Sequence, residues 1–346
     1  MTEITLTQPD DMHLHLRDGA ELAGVVHASA RQFHRAMVMP NLTPPVTTVD
    51  QAMAYYQRIR ECLGNNSEFE PLMTIYLTDN TPVDEIDRVA DSSHVYAVKY
   101  YPSGATTYAG SGVKSLENVY PVLERMAELE VPLLIHGEVV DEDVDIFDRE
   151  PVFIDTVLIP LMQRFPALRM VLEHITTRQA VDVVKDGPEV LAASITAHHL
   201  LYNRNLMFKG GLRPHYYCHP VLKRERSRLA LVEAAVSGHA RFFLGTDSAP
   251  HPVARKECDC GCAGIYSAPV ALEAYAEVFD QAGQLDQLEQ FASFNGADCY
   301  GLPRNRGTVT LRKMDWKVPR TLPLAGGEIV PLLAGEVCRW KLVADE

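Results

Sequence analysis

Eight times along this chain a short apolar, β-branched run is followed by a stretch with helical spacing, and no other property of the sequence restricts its fold as much. Strands are expected over 4–13, 36–39, 72–77, 96–100, 132–136, 170–174, 191–196 and 242–246. Helical patterns follow over 20–33, 48–63, 83–90, 116–129, 153–165, 177–185, 222–237 and 268–281. That count is the count of a (β/α)8 TIM barrel, an α/β fold whose βαβ repetition implies a parallel sheet. A doubly wound sheet is the structural alternative. A chain of 346 residues has room for one large barrel or two domains, and no Pro-, Gly- or Ser-rich linker divides it. The expectation is therefore a single domain over 1–346, with the barrel at about 4–302. From Pro303 the pattern turns irregular, with extended pieces at 309–311, 328–333 and 337–343. Twelve residues precede His13, too few to form a full β-sandwich with this tail, so 303–346 is expected as a short appendage on the barrel.

Composition excludes several partners. Lys plus Arg is 32 and Asp plus Glu is 46, a formal net charge of −14, which argues against nucleic acid or an anionic membrane as the main partner. An anionic substrate would need a locally positive site. The N-terminus has no basic stretch followed by an apolar run, and no segment approaches a membrane span, so a cytoplasmic protein is expected. Seven Cys, spread out except for Cys258, Cys260 and Cys262, suggest free thiols rather than a disulfide framework.

The strand ends carry the chemistry. In Asp11-Met12-His13-Leu14-His15-Leu16-Arg17 the two His are i and i+2, so a strand aims both imidazoles at one point, with Arg17 adding a cation beside them. Later strands end in Pro40-Asn41, Lys99, His136, His174 and Thr246-Asp247, with His251 just beyond. Taken singly, each has an ordinary reading. A lone strand-end His is usually a hydrogen-bonded core or surface residue. A Lys in an apolar run usually snorkels to water, and Asp247 could cap a helix. All those readings would have to hold at once, in register with the strands. If the barrel closes, His13, His15, Lys99, His136, His174 and Asp247 converge at the strand C-termini, where TIM barrels keep their active sites. Burial lowers a lysine's pKa, and a neutral amine adds CO2 to become a carbamate able to bridge two metals as a carboxylate would. Four His, one such carbamate and one Asp suit two Zn²⁺ sharing a hydroxide.

These motifs together resemble the amidohydrolase superfamily and, within it, the bacterial short-chain dihydroorotases. Further elements of the resemblance are Met39-Pro40-Asn41-Leu42, Val98-Lys99-Tyr100-Tyr101-Pro102, Leu134-Ile135-His136-Gly137-Glu138 and Leu172-Glu173-His174. Late in the chain come Gly245-Thr246-Asp247-Ser248-Ala249-Pro250-His251 and Cys260-Gly261-Cys262-Ala263-Gly264. The similarity runs from about residue 5 to residue 303. It implies that His13 and His15 hold one zinc with Asp247, that His136 and His174 hold the other, and that carboxylated Lys99 bridges them. It also implies that Arg17, Asn41 and His251 grip a substrate carboxylate, with His15, His136, His219 and Ala263 among the substrate contacts. Thr106 and Thr107 would close over the substrate on a lid, Ser103-Gly104-Ala105-Thr106-Thr107. The sequence departs from the family at His219, where Leu is common.

The activity implied is the reversible cyclisation of N-carbamoyl-L-aspartate to L-dihydroorotate plus water, an early step of pyrimidine synthesis. In the implied mechanism a metal-bridging hydroxide attacks the ring amide while Asp247 serves as base and then acid. A homodimer is typical of the resembled type. The nearest alternative is another cyclic amidohydrolase, such as a dihydropyrimidinase, hydantoinase or allantoinase, whose substrates lack the ring carboxylate and leave Arg17, Asn41 and His251 with less to do. A second is a non-catalytic, dihydroorotase-like scaffold subunit, a class that typically loses metal ligands, whereas here all six positions are filled. Cys258, Cys260 and Cys262 read as a tight loop beside the site or as a separate zinc or redox site. His198 and His199 read as structural or supporting residues.

Overall fold

The computed structural model describes residues 2–259 and 261–343. Eight parallel strands form one sheet in sequence order: β2 (Asp10–Leu14), β3 (Arg35–Val38), β4 (Glu70–Tyr76), β5 (Val95–Tyr100), β6 (Leu133–Ile135), β7 (Met170–Leu172), β8 (Leu191–Ile195) and β9 (Phe242–Leu244). Preceding them is β1 (Glu3–Thr7), and following them are β10 (Thr308–Lys317), β11 (Leu322–Leu324), β12 (Gly327–Ile329) and β13 (Val337–Val343). The barrel closes where Leu14 of β2 bridges Ser248, just beyond β9. Hydrogen bonds stitch that seam. Asp247 N–H donates to His13 O at 2.8 Å and His15 N–H to Ser248 O at 2.9 Å. Thr246 donates through its N–H and Oγ1 to the Asp11 carboxylate at 2.8 and 2.6 Å.

The helices between strands form for local reasons. In Val49–Leu63, Thr48 caps the N-terminus by accepting from Gln51 N–H, and Val49, Ala52, Tyr55 and Ile59 repeat at helical spacing to face the barrel. In Arg178–Asp186, Thr177 caps in the same way, with Ala180, Val181 and Val184 buried. The helix expected over 153–165 is instead three pieces: Arg149–Phe153, a π-helical stretch Ile154–Leu158, and Ile159–Arg164. Pro160 has no N–H for the regular ladder, and the wider turn absorbs the break.

Two further expectations need correction. The run 4–13 is two strands, because Pro9 cannot donate to a ladder and the chain changes sheets there. Every residue of β2 is buried, as a barrel strand requires, whereas β1 buries only Leu6 fully. The tail is also more regular than expected. β10 pairs antiparallel with β1, Ile4 opposite Leu311, and with β13, Leu311 opposite Leu342. The extended piece expected at 328–333 is a hairpin displaced towards the N-terminus, with Leu322 opposite Ile329. This three-stranded sheet packs on the barrel through Leu311, Cys338 and Trp340, each 0% exposed. Trp340 also donates from Nε1 to Asp280 Oδ2 at 3.2 Å. Trp340→Ala is expected to cost about 3–5 kcal/mol in urea unfolding, the usual range for emptying a buried aromatic site. A loss below about 1 kcal/mol would make the tail a passive attachment.

Candidate active site

All six convergent residues lie at the C-terminal ends of barrel strands. His13 is on β2 with His15 just beyond it, and Lys99 is on β5. His136, His174 and Asp247 follow β6, β7 and β9 by one, two and three residues. Ring centroids lie 5.5 Å apart for His13 and His15, and 4.9 Å for both His13–His174 and His136–His174. Asp247 Oδ1 is 3.1 Å from His15 Nε2 and 3.5 Å from His13 Nε2. His13, His15 and Asp247 bring donor atoms within 4.8 Å of one another, a group able to hold a metal ion. His174, Asp247 and Arg17 have φ of +41°, +43° and +59°. Left-handed backbone is costly for such residues and persists only where the surroundings fix it, so three site residues share this strain.

Partners behind the ring orient each imidazole. His13 Nδ1 lies 2.9 Å from Glu173 Oε2, His15 Nδ1 donates to Asn41 Oδ1 at 2.7 Å, and His136 Nε2 donates to Glu138 Oε2 at 3.0 Å. For His13 and His15 this leaves Nε2 turned towards Asp247 Oδ1, the side from which a metal would be ligated. His174 is positioned by its backbone N–H, which donates to Ser194 Oγ at 2.7 Å, and Ser194 in turn donates to Glu173. Glu138, Glu173 and Asp11 received no role from the sequence. Their signal was their position, one or two residues from a convergent His.

Burial pushes the pKa values of His13, His15, His136 and His174 below the ordinary imidazole range, so they are neutral and able to ligate. Burial raises Glu173 and Asp11 to about 7. Burial also pushes the Asp247 carboxyl up, but the hydrogen bond to His15 and the nearby His13 and Lys99 outweigh it and hold Asp247 ionised. Lys99 is fully buried, its Nζ finds no hydrogen-bond partner, and burial lowers its pKa to about 8. An amine in that state is orphaned and partly neutral near physiological pH.

The residues expected to bind substrate gather at the mouth. Arg17 Nε donates to Pro250 O at 2.8 Å, and its Nη2 donates to His251 Nε2 at 2.9 Å. Burial, then Arg17, lower His251 to about 2, leaving it neutral. His251 Nε2 also lies 3.1 Å from Ala263 O. Ala263 N–H donates to Thr107 Oγ1 at 3.2 Å, and Asn41 Nδ2 to Thr107 O at 3.4 Å, so the lid is docked. Gly264 must be glycine: its φ is +148°, and a Cβ would lie 2.6 Å from Ala249 O. Thr106, Thr107 and His219 line the same pocket. His219 Nε2 is 2.8 Å from Tyr217 Oη, and its Nδ1 is 3.6 Å from Glu138 Oε2.

Two other clusters stand apart from this ring. His198 and His199 form a group with Cys218, almost fully buried. His199 lies 2.7 Å from Thr196 Oγ1 and 3.0 Å from Pro220 O. Cys258 is exposed and donates to Arg255 O at 3.5 Å, while Cys262 is buried and its N–H donates to the same carbonyl at 2.9 Å. Cys260 lies outside the described residues.

Comparison with known proteins agrees with this geometry. The amidohydrolase family model matches residues 10–318. A dihydroorotase of Laribacter hongkongensis is 61% identical over 343 residues, covering 99% of each chain. Among solved structures, a dihydroorotase of Campylobacter jejuni superposes with a TM-score of 0.90 at 37% identity, covering 98% of this chain and 97% of that one. A dihydroorotase of Saccharomyces cerevisiae in complex with 5-fluoroorotic acid does so at 0.90 and 31% identity, covering 99% of each chain. Identity of this extent over whole chains shows the kinship: the protein belongs to the amidohydrolase family and, within it, to the dihydroorotases.

Proposed function

We propose that this chain catalyses the reversible cyclisation of N-carbamoyl-L-aspartate to L-dihydroorotate plus water. The observation that carries the reading is the buried Arg17 guanidinium at the mouth of the donor ring, held by Pro250 O beside a neutral His251. A planar fork of that kind suits a carboxylate, which dihydroorotate has on its ring and the neutral cyclic amides lack.

The residues fit two Zn²⁺. His13, His15 and Asp247 would hold one ion, His136 and His174 the other, and Lys99, once carboxylated by CO2, would serve both. Supporting this are the neutral imidazoles, their outward partners and the orphaned Lys99 amine. Bound there, the ions supply an acidified water and polarisation of the ring carbonyl. The remaining work belongs to side chains. Arg17, Asn41 and His251 orient the ring through its carboxylate. Asp247 Oδ1 takes a proton in the hydrolytic direction and returns it to the departing ring nitrogen. Thr106 and Thr107 cover the pocket and donate to the developing oxyanion. His219 contributes an imidazole to the same wall.

The test is loss of ring-amide absorbance when zinc-loaded protein meets L-dihydroorotate, with dihydrouracil and hydantoin alongside. Turnover of dihydroorotate alone supports the reading, and turnover of only the uncharged rings moves the protein to another cyclic amidohydrolase. Arg17→Lys is expected to raise KM by about 10–100-fold with a smaller change in kcat, since one forked, charge-assisted contact is lost. An unchanged KM would remove Arg17 from carboxylate recognition.

No described helix is long and apolar enough to cross a membrane. We propose a cytoplasmic homodimer, with no nucleic-acid or membrane partner. Phe208 and Leu212, 60% and 78% exposed on one loop, offer apolar surface for a second copy. A single-chain mass in sedimentation would overturn the dimer.

A further inference from the structure

The lid is a compact turn closed on itself. Ser103 N–H donates to Val113 O, Gly104 N–H to Ala109 O, and Val113 N–H to Tyr101 O, each at 2.9–3.1 Å. Its outer edge carries Tyr108, a non-glycine residue with φ of +65°. Such a conformation is costly and persists where other contacts over-determine it. The Tyr108 ring centroid lies 6.3 Å from that of His251, beside the carboxylate-gripping group. Its hydroxyl accepts from Arg255 Nη2 at 3.3 Å.

Arg255 belongs to the short turn of helix Val253–Lys256, and the next residue explains why that turn is a firm anchor. Lys256 is buried, and its ammonium donates to Tyr217 O, Cys262 O and Gly264 O at 2.8, 2.8 and 2.7 Å. Those carbonyls belong to the two loops that present His219 and Ala263 to the pocket. Arg255 O meanwhile accepts from Cys262 N–H and Cys258 Sγ. The turn therefore ties together the loop of Tyr217, the loop of Cys258 and Cys262, and the lid.

We propose that Val253–Lys256 is the catch for the lid: Arg255 holds the closed lid through the Tyr108 hydroxyl, and Lys256 fixes the catch to the loops that bind substrate. Tyr108 and Arg255 are thus positioning residues, acting on substrate through Thr106 and Thr107. Cys258 and Cys262 brace the catch through the Arg255 carbonyl. This rests on the dihydroorotase reading above and extends it to how tightly the pocket stays shut.

The test is a double-mutant cycle of Tyr108→Phe and Arg255→Met in the zinc-loaded full chain. Arg255 is exposed and the phenyl ring is retained, so both variants are expected to fold. Each single variant should raise KM for dihydroorotate about two- to tenfold while kcat stays within about twofold, and the double variant should be no worse than either single. Amide hydrogen exchange over 104–110 should be faster in both variants than in the parent, and this readout needs no turnover. Independent, multiplicative effects on KM, or exchange equal to the parent's, would overturn the catch. A parent that fails to turn over dihydroorotate but shows the exchange difference would overturn the substrate reading and leave the catch standing.

Discussion

Asp247→Asn is expected to lower kcat by about 10³-fold or more while the thermal transition of the metal-free protein moves little. Asn is nearly isosteric with Asp, and its amide N–H can donate to the unprotonated His15 Nε2, which lies 3.1 Å from Asp247 Oδ1. The backbone N–H that donates to His13 O is untouched, so the barrel seam stays closed. What is lost is a group able to take a proton and give it back. General acid–base catalysis contributes up to about 10⁴-fold, and here one carboxylate is asked to serve both directions. The pH dependence follows from its surroundings. Asp247 is held below the ordinary carboxylate range, so it is ionised and ready as a base throughout the neutral region. Near-normal rates in the variant, at unchanged metal content, would assign the proton transfer elsewhere.

Lys99→Ala is expected to lose bound metal and activity together, with partial recovery in the presence of a short carboxylic acid that places two oxygens where the carbamate would stand. Stoichiometric zinc retained in this variant would refute the bridging role. The metal-free protein offers an independent check. The Lys99 pKa falls from 10.5 unfolded to about 8 folded. The unfolded chain therefore binds more protons between those values, and stability rises with pH across that window. The full difference is about 3 kcal/mol, present as a penalty below pH 8 and relieved as pH approaches 10.5. Lys99→Met is expected to be the more stable protein below pH 8, with the gap narrowing above it. An identical pH profile for the two chains would mean that Lys99 is not the buried, orphaned amine described here.

The donor ring was legible in the sequence because each member ends a strand, and a strand's period of two and a barrel's strand ends are strong local regularities. The groups that aim those donors were not. Glu173 reads as any charged residue until β7 pairs with β8 and brings Ser194 beneath it. Asp11 looks like a surface carboxylate until β9 arrives beside β2 and supplies Thr246. The tail failed for the same reason at greater range. The partner of β1 lies some three hundred residues away, and no short window contains both strands. Pro9, which splits the first strand, was visible, and its missing N–H was a signal that the run had to break.

The seam between β2 and β9 is stitched by the backbones of His13, His15 and Asp247 themselves. Closing the cylinder and assembling the site are therefore a single event, and a chain that has not yet added β9 carries no half-working version of it. The reverse also holds. Any loosening there draws the Asp247 carboxylate away from His13 and His15, so activity is expected to be an early reporter of it. Selection that preserves catalysis in this protein also guards the closure of its fold, with no separate safeguard needed.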